Sequence, residues 1–489
     1  MTATAVSMAI PELLVRRAEA EPDAVAFRVA GEPRLGDWEL RFGDWEARSR
    51  AAAHALAGAK VGPGTRVGLL FAGSGWIDYA VAYLGVLRAG GTALHLNDRL
   101  PAAEADRRLA ACRVSHLVHA DRLAPPAGFT GDALPASTLR RLDGRPPEVP
   151  IRPEDVADVH YTSGTTGPAK AYLVPHGNIT FGRDAATMRN FTAGGQLLVP
   201  MEPGSGSAAS CVLSTLTSPM TTVLSASDEP ERLAGLVERL RITAMAITPW
   251  IAGRLVAARV HERYDLSTLQ MLACASAPLP PPVAIALRAM LPGARLTGAF
   301  SQSEASPALL VSVFDPDKPL AVGRPNATTE LRIVDGAGRP VPHGELGEIW
   351  LRHPAPRRLY LDPALNADIL ADGWYRTGDY GRIGPDGDLF LFDRGADLIR
   401  TAGTLVSSIE VEAVLYEHPA VREAAVVGTP AGVLAAVVLS DPAELPGVRA
   451  LTQRRLAAHQ VPARYLPLDA LPRNDKGKVL KRELRALAG

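Results

Sequence analysis

The sequence predicts an α/β protein, in which a large N-terminal α/β domain with a small β-barrel-like subdomain is followed by a smaller C-terminal α+β lid domain. Three observations predict it. Through the first part of the chain, short apolar runs of strand length alternate with helix-length stretches, the signature of strands covered by helices. Between Val322 and Phe392 the texture changes to brief β-type runs set off by Gly-, Pro- and Asp-rich turns. Beyond Asp393, helix and strand patterns return in a short stretch with a basic end. At 489 residues the chain exceeds one ordinary core, so a division into residues 1–392 and 393–489 is expected.

The elements follow in order. A first helix is expected near Glu12, then a helix over 45–57, an apolar strand over 67–71, a helix over 76–89 and a strand over 92–96. The alternation resumes after Val156, with a helix over 230–240, a strand over 244–248 and another near 269–273. The proline-rich stretch 278–282 reads as a loop. Residues 330–334, 347–351 and 388–392 supply the short strands of an antiparallel sheet or barrel. In the lid, a helix over 409–417 precedes strands over 421–427 and 433–439 and a helix over 449–459. The apolar stretch 424–439 is broken by Gly428, Pro430 and Gly432, which fits two buried strands and a turn and not a lipid-crossing helix.

Composition narrows the function classes. Lys+Arg and Asp+Glu each number 52, a formal net charge of +0, so no global field would draw the protein to nucleic acid or to an anionic membrane. Small molecules or local docking surfaces are the expected partners. Residues 1–12 lack the basic start and unbroken apolar run of a secretory signal. Cys112, Cys211 and Cys274 lie far apart with no CxxC pair, which signals neither a disulfide framework nor a zinc site. A cytoplasmic location suits both observations.

The strongest local signal is Tyr161-Thr-Ser-Gly-Thr-Thr-Gly-Pro-Ala-Lys170, placed directly after the strand-like residues 156–160. Small hydroxyl and glycine residues let backbone N–H and side-chain O–H groups converge on phosphate oxygens, and a nearby lysine adds charge. GxxxxGK[ST] is absent here and around Lys478, so a Walker-type phosphate loop is excluded. Four companions follow in order: Phe300-Ser-Gln-Ser-Glu304, Tyr375-Arg-Thr-Gly-Asp379, the stretch from Asp393-Arg394 to Glu412, and Leu471-Pro-Arg-Asn-Asp-Lys-Gly-Lys478.

Together these motifs resemble those of the adenylate-forming superfamily, which includes acyl- and aryl-CoA ligases, adenylation domains of nonribosomal peptide synthetases, and luciferases. The resemblance runs from near Glu12 through Arg485. It implies ATP and Mg²⁺ as cofactors. Thr162, Ser163, Gly164, Thr165, Thr166, Gly167 and Lys170 would hold the triphosphate, with Thr165 catalytic, and Glu304 would be the magnesium-associated glutamate, with Ser303 beside it where threonine is usual. Asp379 matches the aspartate that accepts from the ribose hydroxyls, and Arg394 resembles the arginine that contacts the nucleotide from the start of the hinge. Lys478 matches the lysine that bridges the attacking acid oxygen and the α-phosphate, and the family's lid swings about the hinge between two half-reactions.

Several positions depart from the family pattern. Pro203 stands where many CoA ligases have a histidine, beside Glu202, which replaces an aromatic residue. Ser301 replaces a glycine, and Ala275 and Ser276 occupy a loop that is often glycine-rich, so the acid pocket is expected to suit a small or compact aromatic acid. The resemblance implies an ATP-dependent ligase that adenylates an acid and transfers the acyl group to a thiol, of CoA or of a separate carrier protein. Two alternatives stay open: transfer to a nitrogen nucleophile, and a non-catalytic nucleotide-binding relative.

Overall fold

A computed structural model describes residues 7–30, 38–140, 148–162, 169–183, 195–401, 403–474 and 477–488. They divide into two compact units. The first takes the chain up to Thr162, Lys170–Met245 and Pro354–Asn366; the second takes Ala246–His353 and the chain from Ala367 onward.

The first unit holds a seven-stranded sheet with the order Leu359–Tyr360, Ala171–Pro175, Val156–Tyr161, Thr92–Leu96, Arg66–Leu70, His116–His119 and Asp132–Pro135. From Val156–Tyr161 onward the pairings are parallel, and the two strands at the other edge are antiparallel. Parallel strands need crossover helices on their faces, which is why these runs read as continuously apolar. The helices Phe42–Gly58 and Trp76–Arg88 are packed against each other, and a Cβ on Gly85 would lie 2.6 Å from the Ala52 methyl. That glycine sets how closely the two backbones approach. Trp45 lies within this interface and donates from Nε1 to the Ala80 carbonyl at 3.1 Å. A second parallel set in this unit pairs Gln196–Pro200 with Thr221–Ser225, and Thr221–Ser225 with Val25–Val29.

In the second unit Met271–Cys274 runs parallel to Arg295–Phe300. An antiparallel ladder continues through Leu310–Val313, Ala321–Pro325, Leu389–Arg394, Trp374–Ile383, Gly347–Arg352 and Glu330–Val334. The expected short strands are all present. Register shifts between Tyr380 and Gly381 and between Glu348 and Trp350 bend this ladder.

The C-terminal residues form a three-stranded sheet, with Val421–Thr429 antiparallel to Gly432–Leu439 and Arg464–Pro467 parallel to Gly432–Leu439. Both faces of this hairpin are buried. Val426, Val433, Ala435 and Val437 pack with Val411, Leu415 and Val448, while Ala425, Val427, Leu434 and Ala436 pack with Leu471 and Leu484. Helices on both faces account for an uninterrupted apolar run in strands of ordinary length. Among the described residues no helix is long and apolar enough to cross a membrane.

Two of the boundaries that differ from expectation do so for one reason. Helix Leu445–Arg455 starts four residues before the expected 449, and helix Pro281–Met290 begins inside the proline-rich stretch read as a loop. In both, proline occupies the first turn, where its missing N–H has no intrahelical partner to lose.

Candidate active site

The first unit contributes the flanks of the hydroxyl-rich loop. Strand Val156–Tyr161 runs parallel to Thr92–Leu96, and Thr162 leaves its C-terminal end, where α/β sheets offer open ligand-binding edges. Thr162 donates its N–H to the Lys170 carbonyl at 2.9 Å, and the Lys170 N–H donates to Thr162 Oγ1 at 3.0 Å. The loop is thereby clasped at its base. Ser163, Gly164, Thr165, Thr166 and Gly167 lie outside the described residues. Lys170 is exposed, with Nζ 5.5 Å from the centre of the Tyr360 ring.

Glu202 pairs with Arg99, Oε1 to Nη2 at 2.7 Å. That guanidinium, distant in sequence, holds the carboxylate that the sequence leaves as a loop charge. Pro203 is buried at the following turn. Gly204 takes φ +85°, and a Cβ there would meet the Leu96 carbonyl oxygen at 2.1 Å, so the turn requires glycine.

The second unit brings together the distal motifs. Asp379 on strand Trp374–Ile383 lies directly across the ladder from Arg394 on Leu389–Arg394, with Arg394 Nε 3.6 Å from Asp379 Oδ1. Gln302, in the turn after Arg295–Phe300, donates from Nε2 to Asp379 Oδ2 at 2.8 Å and to the Thr377 carbonyl at 2.5 Å. Thr377 is itself tied to the Ile349 carbonyl at 2.6 Å and accepts from the Asp379 N–H at 3.1 Å. Burial pushes the Asp379 carboxyl up to about 6, against the attraction of Arg394, the Gln302 hydrogen bond and the Lys478 ammonium. The carboxylate is therefore costly to keep charged while no hydroxyls are bound to it.

Lys478 closes a small loop whose flanks, Arg473 and Val479, bridge antiparallel. Asn474 accepts the Lys478 N–H on Oδ1 at 3.0 Å and donates its own N–H to the Lys478 carbonyl at 2.9 Å, while Gly477 turns the chain at φ +74°. Ser303 is exposed and Glu304 is half-buried in the same turn as Gln302. A glutamate carboxylate is the hard oxygen donor that Mg²⁺ takes together with waters and phosphate oxygens, so Glu304 fits that ion. Ala275 and Ser276 are exposed after strand Met271–Cys274, with Ser276 at φ +82°. Ser301 is exposed and donates to the Ala308 carbonyl at 2.6 Å.

Sequence reasoning missed several participants. Gln302 occupies the variable position of its motif, and Arg99 and Tyr360 are remote from the residues they meet. It also missed a buried group in the first unit, His95, Asp158 and His160, whose ligand atoms lie within 4.8 Å of one another. His95 Nε2 is 3.1 Å from Asp158 Oδ1, Tyr83 donates to Asp158 Oδ2 at 2.8 Å, and the Tyr79 hydroxyl meets His95 Nδ1 at 2.8 Å. Burial would raise the Asp158 carboxyl, but the hydrogen bond and charge of His95 hold it below the usual range. These bonds satisfy His95 and Asp158 without an ion. The signal was legible as polar residues inside otherwise apolar strands.

The chain matches the AMP-binding enzyme family over residues 14–361 and the AMP-binding enzyme C-terminal domain over residues 410–478. A feruloyl-CoA synthase of Streptomyces sp. is 32% identical over 97% of this chain and 98% of its own length. A fatty acid–[acyl-carrier-protein] ligase, ScoC of Streptomyces coeruleorubidus, is 29% identical over 89% of each chain. Among solved structures, amide bond synthetase McbA from Marinactinospora thermotolerans superposes with a TM-score of 0.84 at 29% identity, covering 98% of this chain and 99% of its own.

Proposed function

The chain belongs to the AMP-binding enzyme family, and from that premise we propose that it activates a small or aromatic carboxylic acid as its acyl-AMP and passes the acyl group to a thiol of CoA or of a separate carrier protein. The observation that carries this reading is the pairing of Asp379 with Arg394 under the field of Lys478. A two-oxygen acceptor beside two cations is what a ribose and its phosphate require. The similarity to feruloyl-CoA synthases over nearly the whole chain supports acid activation and a thiol acceptor.

In the first half-reaction a carboxylate oxygen of the acid attacks the α-phosphorus of ATP. The bond from that phosphorus to the bridging oxygen breaks, and pyrophosphate leaves with the electron pair. Thr162, Ser163, Gly164, Thr165, Thr166, Gly167 and Lys170 hold the triphosphate, Asp379 accepts from the ribose hydroxyls, and Arg394 and Ser303 contact the nucleotide. Lys478 offsets the charge that gathers between the attacking oxygen and the α-phosphate. Mg²⁺, held by Glu304, supplies charge compensation at the phosphate oxygens when bound. In the second half-reaction the thiolate attacks the acyl carbon and AMP departs. Ala275, Ser276, Ser301, Glu202 and Pro203 border the acid and its acceptor, with added side-chain volume that favours a compact acid.

The domain junction belongs to the same proposal, with residues 1–392 as the adenylating domain and 393–489 as the lid. The Asp393 carboxylate accepts from the N–H of Arg394 at 2.8 Å and of Ser408 at 2.6 Å, which ties the junction to the first lid helix. Cytoplasmic residence is proposed with it, on the spacing of the three cysteines.

A second reading sends the adenylate to a nitrogen nucleophile. It is favoured by Pro203 in place of the histidine frequent in CoA ligases and by the likeness to an amide bond synthetase. One screen separates the two: ATP/pyrophosphate exchange over small and aromatic acids, then the isolated acyl-adenylate offered CoA, a carrier protein and amines. Exchange with a compact aromatic acid and thioester formation are expected, with Lys478→Ala slowing exchange by about 100-fold. Amide formation without thioester would overturn the thiol assignment, and undiminished exchange by Lys478→Ala would overturn the lysine's role.

A further inference from the structure

The lysine-bearing loop is anchored on a residue that lies outside all of the motifs, Trp250. Helix Pro249–Ala257 begins with Thr248 as its cap, and Trp250 stands in its first turn, half-buried. The Arg473 guanidinium lies 4.3 Å from the centre of the Trp250 ring. Its two terminal nitrogens point elsewhere: Nη1 donates to the Gly477 carbonyl at 2.7 Å, and Nη2 is paired with Glu423 on strand Val421–Thr429. The backbone of the same loop also meets the indole, since a Cβ on Gly477 would lie 3.5 Å from Trp250 Cδ1. Arg473 therefore joins three things at once: the indole, the lid sheet and the turn immediately before Lys478.

We propose that the Trp250–Arg473 stack is a latch that holds the Lys478 loop in its adenylating position, which makes Trp250 and Arg473 positioning residues for the first half-reaction. The proposal rests on the assignment of Lys478 to that step. The physics is asymmetric in a useful way. A guanidinium over an indole face is attracted by the ring quadrupole while its N–H groups stay available in the ring plane for Glu423 and the Gly477 carbonyl. The contact thus orders the loop without consuming its hydrogen bonds. It also involves no substrate atom, so its loss should slow a step that needs Lys478 in place and spare one that does not.

The test compares Trp250→Ala, Trp250→Phe and Arg473→Met with wild type and with Lys478→Ala. Three quantities are read: the pyrophosphate-exchange rate at saturating ATP and acid, the Kd for AMP, and the rate at which isolated acyl-adenylate is transferred to its acceptor. The latch predicts exchange slowed about tenfold in Trp250→Ala and Arg473→Met, the size expected from a partly desolvated cation–π contact. AMP affinity stays at wild type, transfer is unchanged or faster, and Trp250→Phe recovers most of the exchange rate. Wild-type exchange in both Trp250→Ala and Arg473→Met overturns the latch, as does equal slowing of the two half-reactions. Undiminished exchange in Lys478→Ala overturns the functional assignment beneath it and is visible separately, because that variant leaves the stack intact.

Discussion

Asp379 concentrates the conflict between folding and function in one side chain. Its folded carboxyl holds a proton up to about pH 6, against 3.8 for an unperturbed carboxyl. Between those values the folded protein binds more protons than the unfolded chain, so stability contributed by this group is present at low pH and is lost as pH rises to about 6. Above that the full cost stands, a gap of about two pH units at about 1.4 kcal/mol each, or ~3 kcal/mol. Asp379→Asn should therefore raise the melting temperature of the nucleotide-free protein by a few degrees at pH 7.5 and much less at pH 4, as read by scanning fluorimetry. The same substitution removes the charged acceptor and should weaken AMP binding by at least about tenfold. In wild type, AMP affinity should fall as pH drops through about 6, because the protonated carboxyl accepts ribose hydroxyls poorly. Calorimetric titration between pH 5 and 8 checks it, and a flat profile would remove Asp379 from the ribose site.

Helices and strands show why some of this was legible in the sequence and some was not. The runs 92–96, 230–240 and 330–334 matched the observed elements because one apolar period dominates each of them. The proline-led helices were displaced because local chemistry at a first turn reverses the usual meaning of proline. Asp379 and Lys478 were readable because each sits in a contiguous motif. Gln302, Trp250 and Arg99 were not, since each acquires its meaning only from a partner that folding delivers, Asp379, Arg473 and Glu202 respectively. Gly85 belongs with this second group, its role visible only where helix Trp76–Arg88 crosses Phe42–Gly58 at Ala52. Gly85→Val should destabilise the first unit by roughly 1–3 kcal/mol through overpacking, measured as a lower denaturation midpoint. AMP affinity of the folded fraction should stay at wild type, because Asp379, Arg394 and Lys478 belong to the other unit.

Across the whole molecule, the balance of 52 basic and 52 acidic residues leaves the local field of the site to do the recognition of a polyanionic nucleotide. In the second unit that field comes from Arg394 and Lys478 facing Asp379, of which Lys478 is remote in sequence and meets Asp379 only on folding. Nucleotide binding must then stabilise the folded chain by mass action. At a concentration of about 100 times its Kd, AMP should add about 2.7 kcal/mol and raise the melting temperature accordingly. The gain should fall by about half or more in Asp379→Asn, which loses the proposed ribose acceptor, and persist in Trp250→Ala, whose side chain stacks on Arg473 of the lysine loop. Because the proposed latch acts on catalysis and the carboxylate acts on binding, the two substitutions should part company in this one measurement. A stabilisation by AMP that survived Asp379→Asn at full size would mean that the nucleotide binds elsewhere in the chain.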